Sequence, residues 1–474
     1  MNARGIPGDN SLTDILSRQR AAFLREGPPT LSARKDDLLK LKNAVRARLP
    51  ELEKSLNSDF QGRSTNETAI LEGAALVQGI NYLRRNLKRW MRPQKRQVEM
   101  HFRPGRARVV YQPLGVVGIM SPWNFPVGLS LMPLATAIAA GNRAMIKPSE
   151  FTPATSDLLA TMLGEIFPDE QVAVVTGGPD VGTAFSALPF DHLVFTGSTS
   201  VGKAVMKAAS ANLVPVTLEL GGKSPVIVEK GSSLERAAAS IAFGKLSNGG
   251  QICISPDYAF IPENEVNPFL AAYDKAVRSL YPDGPASGDF TSIINERHYG
   301  RLRALLDEAR AKGAQVIEVG ENSEATRTRP HTLPPTVVLG ATDDMGILNE
   351  EIFGPVLPIV PYRDIDEAIA RINAGPRPLA LYFFGGNSED RRKVLERTTS
   401  GNVTINDTLL HYAQDDLPFG GVGPSGMGAY HGIEGFKSLS HAKGIFEQSR
   451  WNMTGMLRPP FGWLSKFVTW FLLR

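Results

Sequence analysis

Cysteine is almost absent from this chain of 474 residues, which contains only Cys253. A single thiol cannot form an intramolecular disulfide, and by itself it is a poor metal site, so we predict neither a disulfide nor a metal centre. A chain without disulfides fits a reducing compartment, and we predict a cytoplasmic location. Two roles remain for Cys253, that of a nucleophile and that of a small buried hydrophobe, and free cysteine often has the second.

Strong charge bias is missing as well. The formal net charge is +4 at pH 7, and charged residues make up 21% of the chain without a long tract of one sign. Short basic stretches at 84–89 and 95–96 are typical of a solvated face, so we predict no nucleic-acid partner. Near the N-terminus, Asp9, Asp14 and Glu26 interrupt any basic-then-apolar segment of the kind that directs secretion.

No apolar run reaches the roughly 20 residues that a membrane-spanning helix needs. The most apolar segment is 463–474, which includes Trp463, Phe467 and Trp470 and ends a tail that we assign to 448–474. Packing of this tail on its own fold or on a partner subunit is favoured, because the rest of the chain has ordinary hydropathy. Weak contact with a membrane surface is the alternative.

Patterns along the chain predict an α/β fold. Apolar residues at helical spacing over 11–90 predict a helical start, and alternating runs at 97–102 and 107–112 around a Pro-Gly turn predict a β-hairpin. From Leu114 onward, short apolar runs alternate with helical segments, as at 143–147 and 155–167. This alternation predicts two domains with parallel sheets, each sheet covered by helices on both faces.

We divide the chain into four predicted segments. A dinucleotide-binding domain spans 11–222, and its hairpin at 97–112 contributes to a bridging β arm for oligomerisation. The catalytic domain spans 223–410, a glycine-rich return segment with a bridging strand spans 411–447, and the apolar tail spans 448–474. Parallel sheets bind ligands beyond the carboxyl ends of their strands, so we expect the cofactor there.

Two motifs in the middle of the chain suggest chemistry. Cys253 ends Gly249-Gly-Gln-Ile-Cys253, and the glycines argue for a tight loop that presents the sulfur. Glu219 in Leu218-Glu219-Leu-Gly-Gly222 could serve as its proton-transfer partner. On local sequence alone, Glu219 is more simply a structural carboxylate, and Asn124, which precedes Phe-Pro, is more simply a turn residue.

Six motifs in one order resemble the aldehyde dehydrogenase superfamily over about residues 15–445. They are Ser121-Pro-Trp-Asn124-Phe-Pro126, Ile146-Lys147-Pro-Ser-Glu150, Phe195-Thr-Gly197-Ser198, Leu218-Glu219-Leu-Gly-Gly222, Gly250-Gln-Ile-Cys253 and Glu351-Ile-Phe353-Gly-Pro355. The resemblance implies that family's fold and NAD(P)-dependent oxidation of an aldehyde to a carboxylic acid. The sequence after Cys253 and the run from Gly423 to His431 are similar to the dimeric, class-three-like branch. Within that branch, bacterial coniferyl-aldehyde dehydrogenases are the most similar, which implies an aromatic aldehyde such as coniferaldehyde.

The resemblance implies three catalytic residues. Cys253 would add to the aldehyde as a thiolate and carry it as a thiohemiacetal and then as a thioester. The Asn124 side-chain amide and the Cys253 backbone N–H would stabilise the oxyanion that this addition forms. Glu219 would activate the water that hydrolyses the thioester.

The resemblance also assigns residues to the cofactor: Trp123, Lys147, Glu150, Gly197, Ser198, Gly202, Glu351 and Phe353. Because a carboxylate at Glu150 would repel a 2′-phosphate, NAD is the expected cofactor, with NADP as the alternative. The run 197–202 differs from G-x-G-x-x-G, and its spacing alone indicates a helix cap, which we place at Ser200. Pyrophosphate would lie at the start of that helix. Without the family pattern, Glu351 is an ordinary loop carboxylate and Phe353 a core aromatic.

The bridging arm implies a homodimer. Its hairpin would be joined by a strand near 438–447, and the exposed strand edges would pair with a second subunit. Substrate would enter opposite the cofactor, where His411 and Tyr412 line the channel unless they lie on the surface. Three other functions stay open: a dehydrogenase of medium- or long-chain aliphatic aldehydes, a CoA-acylating relative, and a noncatalytic or membrane-tethered binding protein. Glu219 argues against the CoA-acylating relative, which needs no base to activate water.

Overall fold

The computed structural model describes residues 9–321, 329–452 and 454–473. Helices and strands alternate along most of the chain, so the predicted α/β fold is confirmed. The strands are β1 (Gln94–Arg96), β2 (Arg106–Pro113), β3 (Val116–Met120), β4 (Arg143–Lys147), β5 (Val172–Val174), β6 (His192–Thr196), β7 (Val216–Glu219), β8 (Pro225–Val228), β9 (Tyr258–Pro262), β10 (Gln315–Glu318), β11 (Thr336–Leu339), β12 (Val356–Tyr362), β13 (Ala380–Phe384), β14 (Asn402–Ile405), β15 (Gly426–Met427) and β16 (Ser440–Glu447). The helices are α1 (Asp9–Glu26), α2 (Leu31–Ala47), α3 (Leu49–Phe60), α4 (Thr65–Glu67), α5 (Ala75–Trp90), α6 (Gly128–Ala140), α7 (Pro153–Ile166), α8 (Pro179–Ser186), α9 (Thr199–Ser210), α10 (Leu234–Leu246), α11 (Val266–Leu280), α12 (Glu296–Ala311), α13 (Gly346–Asn349), α14 (Ile365–Ala374), α15 (Ser388–Arg397), α16 (Gly432–Ser438) and α17 (Trp463–Leu472).

The first sheet has the strand order β15-β7-β6-β3-β4-β5. Its neighbouring strands run parallel, except that β15 pairs antiparallel to β7. Every residue of β4 and β6 is buried, as expected for central strands that are covered on both faces. Helix α6 is apolar around its whole circumference and packs against β3 and β4. It ends at Gly141, whose φ of 91° is the left-handed conformation that the sequence predicts for this helix end.

The second sheet has the order β10-β11-β12-β9-β8-β13-β14. It is parallel from β11 to β14, and β10 pairs antiparallel to β11 at one edge. Strands β8 and β13 are buried throughout. A mixed edge on a parallel sheet is common in α/β proteins, and the second predicted parallel sheet is present.

The bridging arm is a three-stranded sheet with the order β1-β2-β16. Strand β16 pairs antiparallel to β2 over its whole length, from Ser440 opposite Pro113 to Glu447 opposite Arg106, as predicted for the late strand. The predicted first strand of the hairpin, 97–102, is wrong, because the strand that pairs with β2 is 94–96. Residues Met100–Phe102 form a 3₁₀ turn in which the Phe102 N–H donates to the Glu99 carbonyl oxygen at 3.0 Å. Their backbone groups therefore bond within the turn and not to β2.

The predicted helical start is a layer formed by α1, α2, α3 and α5. Helix α5 buries Leu76, Ile80, Leu83 and Leu87, which lie on one face at helical spacing, and it packs against α2 and α6. Between α4 and α5 the chain forms a π-helical stretch, Thr68–Ala74. Such stretches are rare and occur often at functional sites.

The two sheets contribute different strand ends to one region. In the first sheet, Lys147 and Glu219 are the last residues of β4 and β7, and Gly197 follows β6 directly. This is the carboxyl-end arrangement that open parallel sheets use for ligands. In the second sheet, Cys253 and Phe353 lie in loops before β9 and β12, at the amino ends of those strands.

The C-terminal tail forms helix α17, which contacts the 3₁₀ turn at Thr454–Leu457. Trp463 is 78% exposed, and Phe467 and Phe471 are exposed as well. The tail therefore does not bury its aromatic face on its own fold. Met453 and Arg474 of the predicted tail lie outside the described residues. Among the residues that the structure describes, no helix combines the length and hydropathy that a membrane span requires.

Candidate functional site

Loops from both sheets meet at a cleft around Cys253. The open space between them is about 760 Å³, which includes the mouth of the cleft where it meets solvent. Most of the predicted site residues line it: Trp123, Asn124, Gly197, Ser198, Glu219, Cys253, Glu351 and Phe353. Pro122, Leu129, Thr196, Leu220, Gly221, His298 and Arg301 also line it. The remaining predicted residues, Lys147, Glu150 and Gly202, lie on elements beside the cleft.

A left-handed turn presents the cysteine. Asn248, Gly249 and Gly250 have φ of 50°, 61° and 76°, in the region that glycine tolerates and asparagine enters most readily among other residues. A Cβ atom on Gly250 would lie 2.3 Å from the Gly354 carbonyl oxygen, so no other residue fits there without a backbone shift. The tight loop that the glycines predict is therefore present.

Buried polar side chains hold this loop in place. Gln251 donates from Nε2 to the Asn248 carbonyl oxygen at 2.8 Å and accepts from the Ile294 N–H at 2.9 Å. The Glu67 carboxylate accepts from the Asn248 N–H at 3.0 Å and from the Thr291 hydroxyl at 2.8 Å. Both ends of the loop are thus tied to other parts of the chain.

Cys253 and Glu219 share a poorly solvated environment. Burial, followed by the Glu351 and Glu219 carboxylates, raises the pKa of the Cys253 thiol, while the backbone N–H groups of Cys253 and Ile254 act in the opposite direction. Burial also raises the pKa of Glu219 well above its usual range. Its two carboxyl oxygens have no hydrogen-bond partner among the described residues. Burial therefore favours the neutral form of both groups, and the Glu219 carboxyl group remains open to a hydrogen bond with a water or a substrate.

Asn124 is buried, and hydrogen bonds hold both its side-chain amide and its backbone carbonyl. Its side-chain Nδ2 donates to the Gln251 carbonyl oxygen at 3.0 Å, which joins it to the cysteine loop. Its backbone carbonyl accepts from Arg63 Nη1 at 2.6 Å and from Asn248 Nδ2 at 3.1 Å. An amide has two N–H hydrogens. One is used by Gln251, and the other can donate to an oxygen in the cleft.

Lys147 and Glu150 come together where β4 ends. Lys147 is buried, and its Nζ lies 2.7 Å from a carboxyl oxygen of Glu150, which is partly exposed. The two side chains form an ion pair beside the cleft. Together they can bind hydroxyl groups, because the lysine donates hydrogen bonds and the carboxylate accepts them.

The helix at 197–202 begins earlier than expected. Ser198, not Ser200, is the N-cap of α9: its backbone is extended and its Oγ accepts from the Val201 N–H at 3.4 Å. Ser200 lies inside the first turn, where its hydroxyl lies 3.1 Å from that of Ser198. Gly202 packs tightly, since a Cβ atom there would lie 2.6 Å from Leu220. The start of α9 opens towards the cleft and can hold an anionic group.

Glu351 and Phe353 reach the cleft from a loop that Arg301 supports. Arg301 Nη1 donates to the Glu351 carbonyl oxygen at 3.1 Å. Burial and the nearby Asp257 carboxylate raise the pKa of Glu351 to about 7. Phe353 has a φ of 53°, and its ring meets Trp123 edge-on at 5.4 Å. A Cβ atom on Gly221 would lie 2.3 Å from Glu351 Oε2, so only glycine leaves room for this carboxylate. The carboxylate can accept a hydrogen bond from a hydroxyl group, and the aromatic pair offers a surface for a flat ring.

An aromatic cluster lies near Cys253. His411 is buried, and Phe419 stacks on it at 6.1 Å and meets Tyr412 edge-on at 4.9 Å. Tyr430 and His431 are also buried, with the Tyr430 hydroxyl and both His431 ring nitrogens lacking a well-aligned hydrogen bond within the described ranges. Burial raises the pKa of Tyr412, and the charges of Cys253, Glu72 and Glu219 add to the rise, while the Tyr430 hydroxyl acts in the opposite direction. The alternative that His411 and Tyr412 lie on the surface is wrong for His411, which is buried, but neither is among the described residues that line the cleft.

The sequence motifs do not include several residues that support the site. His298 and Arg301 lie one turn apart on α12 and line the cleft, and Trp123 packs on His298 at 5.0 Å. Their helix has an ordinary amphipathic pattern, which gives no sign of this position. Arg63 and Glu72 come from the N-terminal helical layer. Arg63 lies among glycine and polar residues in the sequence, so its local pattern does not indicate which groups it contacts.

Comparisons with known proteins show what the whole chain is similar to. The model of the aldehyde dehydrogenase family matches residues 14–445. The chain is 50% identical to a probable coniferyl aldehyde dehydrogenase of Caulobacter vibrioides, over 95% of this chain and 94% of that one. It is 45% identical to a coniferyl aldehyde dehydrogenase of Pseudomonas sp., over 98% and 96%. A solved structure of Staphylococcus aureus AldH in a substrate-bound state is similar with a TM-score of 0.92 and 36% identity, over 97% of this chain and 99% of that one.

Replacement of Gly221 by alanine should weaken cofactor binding specifically. The new Cβ atom would occupy the position of Glu351 Oε2 and push that carboxylate away. Loss of one hydrogen bond to a charged group is worth about 1.5–3 kcal/mol, so we expect the KM for NAD to rise at least about tenfold. Steady-state kinetics with NAD varied at saturating aldehyde measure this.

Gly164→Ala is the matched control, because a Cβ atom at that helical position meets nothing within 4 Å. It should leave both KM values unchanged. An unchanged KM for NAD in the Gly221→Ala variant would show that Glu351 does not bind the cofactor.

Proposed function

This chain belongs to the aldehyde dehydrogenase family, and we propose that it oxidises an aromatic aldehyde at Cys253, with Glu219 and Asn124 as the other catalytic residues. Oxidation of an aldehyde to the carboxylic acid with a nicotinamide cofactor follows from membership of the family. The predicted similarity to coniferyl aldehyde dehydrogenases is confirmed by the relatives with that name. One observation carries the assignment of residues: a cysteine, an unpaired buried carboxylate and a fixed amide converge on one cleft.

The first step is addition of sulfur to the aldehyde. The Cys253 thiol gives up its proton to solvent through the open cleft, and the sulfur forms a bond to the carbonyl carbon. The carbonyl π electrons move to oxygen. The backbone N–H groups of Cys253 and Ile254 oppose the rise in the pKa of the thiol that burial causes, and they thereby favour the thiolate that must form.

The oxyanion is stabilised by the free N–H of the Asn124 amide and by the Cys253 backbone N–H. Because the backbone carbonyl and the side-chain amide of Asn124 are both hydrogen-bonded, the N–H donor of the amide is oriented before the charge appears. A bound nicotinamide ring supplies the hydride acceptor for the step that converts the thiohemiacetal to the thioester. Lys147, Glu150, Ser198 and Glu351 would hold the adenosine and nicotinamide riboses and the pyrophosphate, with Trp123 and Phe353 at the ring.

Hydrolysis of the thioester completes the reaction. Glu219 takes a proton from water, the oxygen bonds to the acyl carbon, and the Cys253 sulfur leaves as the thiolate. The raised pKa of Glu219 suits this role, since a base with a higher pKa accepts the proton of water more readily. Release of the acid and reprotonation restore the site.

An aromatic substrate is favoured over an aliphatic one for two reasons. The relatives named coniferyl aldehyde dehydrogenases are 45% and 50% identical over nearly the full chain. In addition, Tyr412, Phe419 and His431 form a cluster of aromatic rings near Cys253, and ring pairs of this kind are attractive beyond the area that they bury. The aliphatic alternative would use the same chemistry with a different pocket.

NAD is the proposed cofactor, with NADP as the alternative. The Glu150 carboxylate lies 2.7 Å from Lys147 Nζ and is partly exposed. It would accept hydrogen bonds from ribose hydroxyls and repel a 2′-phosphate, although Lys147 offsets part of that repulsion. The ratio of kcat/KM for the two cofactors measures this preference in the assay described next.

A panel of aldehydes tests the substrate class. We expect purified protein to form NADH fastest with coniferaldehyde or benzaldehyde and more slowly with medium-chain alkanals, and to prefer NAD over NADP. The Cys253→Ala variant should lose activity with every aldehyde, because no nucleophile remains in the cleft. Faster turnover of alkanals would keep the mechanism and overturn the aromatic assignment.

Glu219→Gln should separate the two halves of the reaction. Acylation needs no attacking water, so we expect a burst of about one NADH per site, followed by turnover that is lower by about 10²–10⁴-fold. In the unmodified protein the carboxyl is protonated below its raised pKa, so kcat at saturating NAD should fall as pH decreases, and the fall should begin at a higher pH than for an ordinary carboxyl. This acid limb should be absent in the variant. Stopped-flow absorbance measures the burst, and full steady-state turnover in the variant would refute the role of Glu219.

We propose a homodimer and a cytoplasmic location. Strand β16 forms one edge of the arm, and most of its residues are exposed in the single chain. An open edge of this kind can pair with a second subunit. The cytoplasmic proposal rests on the single thiol.

The charges of the tail favour an anionic lipid surface. Arg450, Arg458, Lys466 and Arg474 are its charged residues, and residues 448–474 contain no acidic side chain. Helix α17 exposes Trp463 and other aromatic side chains, which favour the boundary between water and lipid. Each basic residue near an anionic surface contributes about 1 kcal/mol. We therefore propose weak binding of this helix to anionic membrane surfaces.

Vesicle co-sedimentation tests the tail. The full chain should pellet with phosphatidylglycerol vesicles more than with phosphatidylcholine vesicles, whereas a chain that ends at Pro460 should stay in the supernatant with both. Equal recovery of the two chains in the supernatant would reject membrane contact. Sedimentation velocity of the same samples distinguishes the alternative, since a tail that packs on a partner subunit would shift the dimer towards monomer when it is removed.

A further inference from the structure

The carbonyl group of Asn124 is held by a side chain from a distant part of the sequence. Arg63 Nη1 donates to this oxygen at 2.6 Å, across a sequence separation of 61 residues. Arg63 is buried, in the loop between α3 and α4. We propose that Arg63 is a positioning residue for the oxyanion donor Asn124, and that Glu72 holds Arg63 in place. The inference rests on the role of Asn124 in the proposed function.

Arg63 and Glu72 form a fully buried ion pair. Arg63 Nη2 lies 2.9 Å from Glu72 Oε1, and both side chains are inaccessible to solvent. The pair is not aligned as a hydrogen bond, since the aligned bond of Arg63 goes to Asn124. Burial of two charges is costly and does not by itself argue for stability. A pair kept at this cost needs another explanation, and the contact with Asn124 offers one.

Glu72 also fixes the chain that follows Asn124. Its Oε2 accepts from the N–H groups of Val127 and Gly128, at 2.8 Å each. These groups belong to the start of α6, where backbone donors have no partner within the helix. One ion pair thus holds the segment 124–128 at two points: Arg63 holds its first residue and Glu72 holds its end.

Aromatic rings restrict the guanidinium further. Its Cζ lies 4.7 Å from the centre of the Phe60 ring and 5.0 Å from that of Phe125. Contacts between a cation and aromatic faces at these distances are attractive, more so without water. Because Phe125 follows Asn124 directly, the guanidinium contacts the same segment through both a hydrogen bond and a ring.

A second contact joins this arrangement to the cysteine loop. Asn248 Nδ2 donates to the same Asn124 carbonyl oxygen at 3.1 Å and to the Gln251 carbonyl oxygen at 3.2 Å. The Asn124 amide donates to Gln251 as well. The position of the Asn124 amide relative to Cys253 therefore depends on the hydrogen bonds of both its side chain and its backbone carbonyl. Arg63 donates the shorter of the two bonds to that backbone carbonyl.

Loss of Arg63 should move the donor without removing it. A displacement of a catalytic group by about 1 Å can cost about 100-fold in rate, whereas removal of an oxyanion donor costs about 10²–10³-fold. If Arg63 acts only through Asn124, its replacement should have almost no effect once the Asn124 amide is absent. A merely structural role would lower activity by the same factor in both backgrounds.

A double-mutant cycle of Arg63→Met and Asn124→Ala tests this dependence. The readout is the single-turnover rate of NADH formation with saturating NAD and benzaldehyde. We expect Arg63→Met to lower this rate by roughly tenfold or more in the unmodified background and by less than about twofold in the Asn124→Ala background. The rate of Cys253 alkylation by iodoacetamide should stay within about twofold, since the nucleophile is not the group that moves.

Arg34→Met is the matched control, because Arg34 is also buried in the N-terminal helical layer but donates to the carbonyl oxygens of Pro29 and Ala139, away from the cleft. It should destabilise the protein without a change in the single-turnover rate. If Arg63→Met does not fold, Arg63→Lys and Glu72→Gln replace it in the cycle. Lysine keeps the charge and one donor, so it should lose less activity than methionine.

Two failures are distinguishable. Equal fold-losses for the Arg63 replacement in both backgrounds would overturn the positioning role and leave the proposed function intact. An Asn124→Ala variant with an unchanged single-turnover rate would instead remove Asn124 from the mechanism, and with it the basis of this inference.

Discussion

The tightest constraint in the site is the packing of two backbones against each other. Gly250 lies so close to Gly354 that a Cβ atom would be 2.3 Å from the facing carbonyl oxygen. This contact joins the loop of Cys253 to the loop of Glu351 and Phe353, although the two loops are about 100 residues apart in sequence. The left-handed turn at 248–250, the position of the thiol and the shape of the cleft all depend on it.

Around this contact several carboxylates are buried or partly buried, and most of them are compensated. Asp257 pairs with Lys223, Glu72 pairs with Arg63, and Glu67 accepts hydrogen bonds from Asn248 and Thr291. Glu219 differs, since neither of its oxygens has a partner in the described part of the chain. Buried polar groups are normally hydrogen-bonded, and exceptions with a shifted pKa are concentrated at functional sites. The site thus combines a rigid, satisfied frame with one reactive carboxyl group.

Three separate parts of the chain converge on Asn124 and Cys253. The N-terminal helical layer contributes Arg63, the first sheet contributes the segment after β3, and the second contributes the cysteine loop. Only the first sheet uses the carboxyl ends of its strands, as the general rule for open parallel sheets describes. Chemistry at a junction of this kind requires each part to be rigid, because no single element carries all the reacting groups.

The sequence alone determined many local elements, and its resemblance to a family supplied the proposed reacting residues. Strand β4 and helix α7 follow from apolar periodicity, which acts between near neighbours. The cap at Ser198 and the 3₁₀ turn at Met100–Phe102 are closed by local hydrogen bonds that apolar periodicity does not register. The contacts of Arg63, His298 and Arg301 were decided by tertiary structure, because they join residues far apart in sequence. A charged side chain has the same local pattern whether it meets solvent or the Asn124 carbonyl, so only the folded chain distinguishes the two.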